Sequence, residues 1–310
     1  MNSKWSPNLF ILGAQKCGTT TLHSYLSDMP DVCMSEPKEP LYFEAEFERG
    51  LEFYRERYFS HWRGESIVGE ARPRNLYLAY VPARIHDVNP NAKLIVVVRN
   101  PIDRAYSQWY HEYFRGRENL SFREALRANI ARIESGVTLN TPAANAQHDQ
   151  SGGAEFFRRY LDTGYYYEQV QRYLRLFPRV NLKVILFEDL TEQPELVLND
   201  LAEFLGLGPS PSRLAAPKRE NRSLPCDGAV PSALGPGSIR YGVWRMAQWV
   251  SGLKIGRVVP APVRAAVRNA LGADARVLKD RKTRLWLREH YRSHNEMLAQ
   301  FLDRDLSAWM

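Results

Sequence analysis

Three short apolar runs, each followed by an amphipathic stretch, organise the chain. Leu9-Phe10-Ile11-Leu12 is unbroken by polar residues and ends at Gly13, which predicts a buried strand. From Thr19 to Ser27 the period lengthens, and Leu22, Tyr25 and Leu26 fall on one face of a helix. The second run, Lys93-Leu94-Ile95-Val96-Val97-Val98, is entered by Asn89-Pro90-Asn91. Its β-branched residues do not alternate with polar ones, as in a parallel strand covered on both sides. A helix is expected from Ile102 to Tyr113. The third run is Lys183-Val184-Ile185-Leu186-Phe187, followed by a helix from Pro194 to Leu205 that stops at Gly206-Leu207-Gly208-Pro209. A closing helix from Lys282 to Phe301 carries Leu285, Leu287, Tyr291, Leu298 and Phe301.

Strands alternating with helices predict an α/β fold with a central, doubly wound parallel sheet flanked by helices. One domain over residues 1–310 is expected. Two segments read as mobile additions. Residues 136–153 are polar and small, and residues 209–242 are rich in Pro, Gly and Ser and long enough for a functional lid.

Composition narrows the class. At 12% aromatic residues the chain is not disordered. Cys17, Cys33 and Cys226 are too few, and odd in number, for a disulfide scaffold, which favours a reducing compartment. No stretch approaches the roughly 18 apolar residues of a membrane span. The segment Met1 to Pro7 lacks the apolar core and cleavage site of a signal peptide, so a cytoplasmic location is expected. The net charge of +7 points to an anionic ligand without choosing among nucleic acid, acidic glycan, nucleotide phosphate and anionic membrane.

The sharpest chemical signal is Gly13-Ala14-Gln15-Lys16-Cys17-Gly18-Thr19-Thr20-Thr21, between a strand and a helix. Backbone N–H groups at such a helix start, with the helix dipole, form an anion site. Nucleoside triphosphatase loops read G-x-x-x-x-G-K-[ST]. Here the glycines are correctly spaced, but Thr19 stands where lysine belongs and Lys16 is the loop's cation. After the second strand comes Arg99-Asn100-Pro101-Ile102-Asp103-Arg104-Ala105-Tyr106-Ser107, where a Mg²⁺-dependent phosphotransferase would usually place an aspartate. Arginine grips a phosphate in bidentate fashion, and Ser107 lies about two helical turns on. The pair implies a nucleotide with two separated phosphates and no metal.

G-x-x-K-x-G-T-T-x-L with R-N-P-x-x-R-A-Y-S resembles the sulfotransferases that use PAPS (3′-phosphoadenosine 5′-phosphosulfate). The resemblance extends over Gly164-Tyr165, Phe187-Glu188-Asp189-Leu190, Phe204-Leu205-Gly206-Leu207 and the terminal Asp305-Leu306-Ser307-Ala308-Trp309. It is closer to the carbohydrate (Golgi-type and bacterial) branch than to the cytosolic aryl and steroid branch, whose loop reads Y-P-K-S-G-T. The resemblance implies a P-loop-like fold with PAPS as donor, adenosine 3′,5′-bisphosphate as product and no metal. It assigns Lys16, Cys17, Gly18, Thr19, Thr20 and Thr21 to the 5′-phosphosulfate, and Arg99 and Ser107 to the 3′-phosphate.

Heparan-type members place a glutamate base in E-x-x-[FY]-F, here Glu39-Pro40-Leu41-Tyr42-Phe43. Glu39 is the candidate base and Lys16 its catalytic partner. Glu36 is a rival, and the cytosolic branch uses histidine. His111, Arg72 and Tyr165 are expected in the acceptor pocket. The lysine that heparan-type enzymes often carry after Gly-Glu is replaced by Ala71, in Gly69-Glu70-Ala71-Arg72-Pro73-Arg74. The acceptor stays open between carbohydrate, glycolipid and small natural-product hydroxyls.

Other signals have plainer readings. Cys17 at a helix N-terminus favours a thiolate, but it also suits packing. Glu188 and Asp189 could bind metal, yet Asp189 suits a helix cap. Residues 242–255, with Trp244 and Trp249, form a basic amphipathic stretch that could lie on a membrane, cover the site or pack on the core. No nucleic-acid recognition signature accompanies the basic charge. The functional rivals are an ATP/Mg²⁺-dependent kinase and a non-catalytic module binding anionic glycan or membrane.

Overall fold

A computed structural model describes residues 5–115, 117–136, 141–142, 158–207 and 281–310. The segments 209–242 and 242–255, with Cys226, lie outside the described residues, as does almost all of 136–153.

Five strands, β1 (Leu9–Gly13), β2 (Val32–Met34), β3 (Ile67–Ala71), β4 (Lys93–Val98) and β5 (Leu182–Leu186), form one parallel sheet. Their order is β2-β3-β1-β4-β5. β1 is buried along its whole length, and β4 is buried except at Lys93, as their unalternated apolar pattern requires. The chain leaves β1 for one edge, returns beside it as β3, then crosses to its other side as β4. The crevice at the carboxyl ends of β1 and β4 is therefore the switch point where such sheets bind ligands.

The sequence pattern exposes β1, β4 and β5 but not β2 and β3. β2 has three residues. β3 reads Ile-Val-Gly-Glu-Ala, with a glycine and a carboxylate in its middle, yet every position is buried. A Cβ on Gly69 would stand 2.9 Å from the Met34 sulfur and 3.1 Å from the Leu9 Cβ, so the space is already filled by its neighbours. β5 begins one residue earlier than expected, and Phe187 opens a helix instead of ending the strand.

The helices are α1 (Thr19–Ser27), α2 (Gly50–Tyr58), α3 (Val81–Val88), α4 (Pro101–Phe114), α5 (Phe122–Glu134), α6 (Tyr166–Leu174), α7 (Phe187–Glu192), α8 (Pro194–Phe204) and α9 (Arg281–Leu302). α4 starts cleanly because Asn100 accepts the Ile102 N–H at 3.0 Å and Pro101 needs no N–H partner. α8 stops at Gly206, whose φ of +69° lets Leu207 N–H reach the Ala202 carbonyl at 2.8 Å. One core surrounds the sheet. A second joins Ile102, Tyr106 and Trp109 of α4 to Phe122 and Leu126 of α5 and to Leu287 and Tyr291 of α9. Arg284 adds an ion pair to Asp103 at 3.2 Å, so α9 braces α4 beside the crevice. No described helix is long and apolar enough to cross a membrane.

Candidate active site

The loop between β1 and α1 ends in an uncapped helix start, the geometry that anion sites use. Gly18 precedes α1 at φ +87°, and no side chain caps the helix. The first-turn N–H groups of Thr19, Thr20 and Thr21 have no intrahelical acceptor and point outward, aided by the helix dipole. Ala14 N–H donates to the Val97 carbonyl at 2.7 Å, which ties the loop to β4. Lys16 sits at φ +69°, rare for lysine. Burial, then Arg115, pull its ammonium below the usual lysine range, while Glu112 and Glu39 oppose the fall.

Cys17 is engaged within the protein. Its N–H donates to the Ala14 carbonyl at 3.2 Å, and its sulfur lies 3.8 Å from the Tyr166 hydroxyl. Burial pushes the thiol up to about 11, against the pull of Arg104, Tyr166 and Arg99. The Cys17 side chain is wholly buried in the core around the sheet.

Arg99 and Ser107 lie beyond the end of the adjacent strand. Arg99 follows β4 directly, its carbonyl fixed by the Tyr166 hydroxyl at 2.9 Å and its guanidinium 4.9 Å from the Phe187 ring centre. Ser107 is buried on α4. The motif's second arginine, Arg104, is wholly buried; it donates to Gln108 Oε1 at 2.6 Å and to the Tyr160 carbonyl, which anchors α4. Asp189 lies inside α7 and pairs with Arg304 at 3.0 and 3.1 Å, so it is not that helix's cap.

Glu39 reaches the site from the segment after β2, held at φ +68°. Its Oε1 accepts from Lys38 Nζ at 2.9 Å and its Oε2 lies 3.5 Å from Arg72 Nη1. Burial pushes its pKa up, but Lys38, Arg72 and Lys16 together hold it below the usual glutamate value. Aromatic packing after it, with Tyr42 stacked on Tyr54 at 4.2 Å, fixes the segment against α2. Glu36 is exposed, and the carboxylates bearing most on Lys16 are Glu112 and Glu39. His111 also faces the loop lysine. Burial, then Lys16 and Arg115, push its imidazole down to about 3, so it is neutral at physiological pH.

Two residues expected in the acceptor pocket are engaged elsewhere. Arg72 is buried, with Nε at 2.9 Å from Glu44 Oε2 and Nη2 on the same oxygen. Its remaining nitrogen lies 3.5 Å from Glu39 Oε2. The Tyr165 hydroxyl bonds His290 Nε2 at 2.8 Å, and its ring stacks on His294 at 4.1 Å, so it seats α9. Sequence reasoning missed Glu44 and Glu112, both buried. Glu112 lies beside His111 and 2.8 Å from Arg117 Nε; nothing in the local pattern separates it from a solvated helical glutamate.

The match to known proteins follows this geometry. The family model described as "Sulfotransferase domain" matches residues 6–219. A sulfotransferase of Alicyclobacillus acidocaldarius has a similar structure over 99% of both chains, with a TM-score of 0.64 and 27% identity. A heparan sulfate glucosamine 3-O-sulfotransferase 3B1 of Mus musculus is 30% identical over 66% of this chain and 47% of its own length. A membrane-associated sulfotransferase of Dictyostelium discoideum is 24% identical over 65% of this chain and 56% of its own. The chain thus spans about half the length of these two relatives. With a family model matched over residues 6–219 and relatives that are themselves sulfotransferases, the chain belongs to the PAPS-dependent sulfotransferase family.

Proposed function

We propose that this chain transfers the sulfuryl group of PAPS to an acceptor hydroxyl. The observation that carries the reading is the pair of anion positions on adjacent strands. The uncapped start of α1 with Lys16 follows β1, and Arg99 with Ser107 follows β4. In this reading the N–H groups of Thr19 to Thr21 and Lys16 hold the 5′-phosphosulfate, while Arg99 and Ser107 hold the 3′-phosphate. Gly18 supplies the φ of +87° that turns the chain into α1 while Phe187 packs against it.

Glu39 takes the proton of the acceptor hydroxyl as its oxygen bonds to sulfur. The bond from sulfur to the phosphate oxygen breaks, and adenosine 3′,5′-bisphosphate leaves with that electron pair. Lys16 offsets the charge growing on the departing oxygen. Neutral His111 lines the acceptor side without adding a second positive charge beside Lys16. The cations that do this electrostatic work are the chain's own, Lys16 and Arg99.

The acceptor is a hydroxyl on a carbohydrate, a glycolipid or a small natural product. The relatives named for heparan sulfate favour a carbohydrate among these. All 310 residues act as one domain, supported by the packing of α9 into both cores. Cys17 and Cys33 are free, which suits the cytoplasm. Peripheral membrane contact through residues 242–255 belongs to the same proposal, in keeping with the relative named as membrane-associated. Incubation with radiolabelled PAPS and a panel of carbohydrate, glycolipid and phenolic acceptors tests the reading. Label transferred by the wild type but not by Glu39→Gln supports it, and no transfer to any hydroxyl acceptor counts against it.

A further inference from the structure

Arg72 divides its guanidinium between two carboxylates. Nε lies 2.9 Å from Glu44 Oε2, and Nη2 donates to the same oxygen. That leaves Nη1, which lies 3.5 Å from Glu39 Oε2 and 3.4 Å from the Glu39 carbonyl oxygen. The other oxygen of Glu44 takes Arg74 Nη1 at 2.6 Å. Two guanidinium groups therefore meet one buried carboxylate, and the surplus positive charge falls toward Glu39.

The ends of this chain of contacts are pinned. Arg72 N–H donates to the Ile11 carbonyl at 3.1 Å, on the strand that leads into the phosphate loop. The turn carrying Glu44 is held by Arg84 Nη1 on the Phe43 carbonyl at 2.8 Å and by the Tyr80 hydroxyl on the Glu44 carbonyl at 3.1 Å. Arg72 is 9% exposed, so its fork has little freedom to turn elsewhere. Glu39 itself is 45% exposed and sits at φ +68°, a backbone conformation that glutamate adopts only when its surroundings hold it there.

We propose that Arg72 is a positioning residue for sulfuryl transfer, and that the Arg74–Glu44–Arg72 relay fixes both the backbone and the carboxylate of Glu39 relative to the phosphate loop. This rests on Glu39 being the base. Arg72 touches neither donor nor acceptor in this role; it acts through Glu39 alone. Burial raises the Glu39 carboxyl, but Lys38 at 2.9 Å, then Arg72 and Lys16, hold it below its usual value; removing Arg72 while Lys38 and Lys16 stay therefore moves the pH at which the base becomes protonated upward.

The test compares Arg72→Gln, Arg72→Lys and Arg74→Gln, each alone and with Glu39→Gln, by kcat, KM for PAPS and the pH profile of kcat. Arg72→Gln should lower kcat by roughly 10- to 100-fold, leave KM for PAPS within about twofold, and move the acidic limb to higher pH. Arg72→Lys should recover part of both effects. Arg74→Gln should move the limb in the same direction by less, and it carries the test if Arg72→Gln does not fold. With Glu39→Gln in place, none of the three should cost more activity. An acidic limb unmoved in both Arg72→Lys and Arg74→Gln, or equal further losses in the Glu39→Gln background, overturns the positioning role. Full activity of Glu39→Gln alone instead removes the base assignment, which separates the two failures.

Discussion

The guanidinium of Arg99 lies 4.9 Å from the ring centre of Phe187, and the edge of that same ring stands 2.9 Å from where a Cβ on Gly18 would be. One aromatic side chain at the start of α7 thus packs against both Arg99 and the glycine that opens α1. It joins the β1–α1 loop to the start of α4 in one structure, so small changes at either should be felt at the other.

Gly18→Ala should test that coupling. The added Cβ collides with Phe187, and alanine at φ +87° costs about 1–2 kcal/mol in backbone strain alone. The variant should lose thermal stability and bind adenosine 3′,5′-bisphosphate at least tenfold more weakly, read by thermal denaturation and calorimetry. Wild-type affinity would mean the loop does not cradle a phosphate.

Arg99→Ala and Lys16→Ala should separate binding from turnover. Loss of a charged hydrogen-bond partner costs about 1.5–3 kcal/mol, so Arg99→Ala should weaken bisphosphate binding by roughly 10- to 100-fold. Lys16→Ala should reduce kcat far more than affinity, because its charge is needed most as the bridge oxygen departs. Initial rates at saturating and limiting PAPS distinguish the two patterns.

Glu39→Gln should lower kcat by about 10²- to 10⁴-fold while bisphosphate affinity stays within about twofold. Since Lys38, Arg72 and Lys16 hold the carboxyl below its ordinary value, the wild-type kcat should persist into mildly acidic solution. The acidic limb should vanish in the variant's residual rate.

His111 gives stability a pH dependence of known sign. The native imidazole is held down to about 3, whereas an unfolded histidine titrates near 6.5. Between those values the unfolded chain binds a proton that the native protein refuses. Stability therefore falls as pH drops from about 6.5 toward 3. His111→Gln should flatten that decline in denaturant titrations at a series of pH values.

Cys17 and Cys33 are buried thiols pushed up to about 11, chiefly by burial. Both should resist alkylation at mildly alkaline pH in the native protein and react on unfolding, as peptide mapping by mass spectrometry would show.

What the sequence made legible follows from where its information is local. Gly13 to Thr21 reads as an anion site because strand, loop and helix start are contiguous, and Arg99 to Ser107 reads the same way. The strand β3 was hidden because Gly69 and Glu70 break its apolar pattern, although Tyr54 and Asn75 bury that carboxylate in hydrogen bonds. Arg72 and Tyr165 were expected to face an acceptor because a lone cation or phenol near a motif carries no sign of its partners. Glu44 and the residues of α9 that claim them lie far away in sequence. Glu112 was invisible for the same reason: only folding sets it against Lys16.

Calorimetric titration with adenosine 3′,5′-bisphosphate, in parallel with ATP plus Mg²⁺, tests the central assignment most directly. Tight binding of the bisphosphate without added metal, lost in Arg99→Ala, is the expected result. Binding of ATP with Mg²⁺ but not of the bisphosphate would contradict the PAPS site and make the chain a kinase-like phosphotransferase instead.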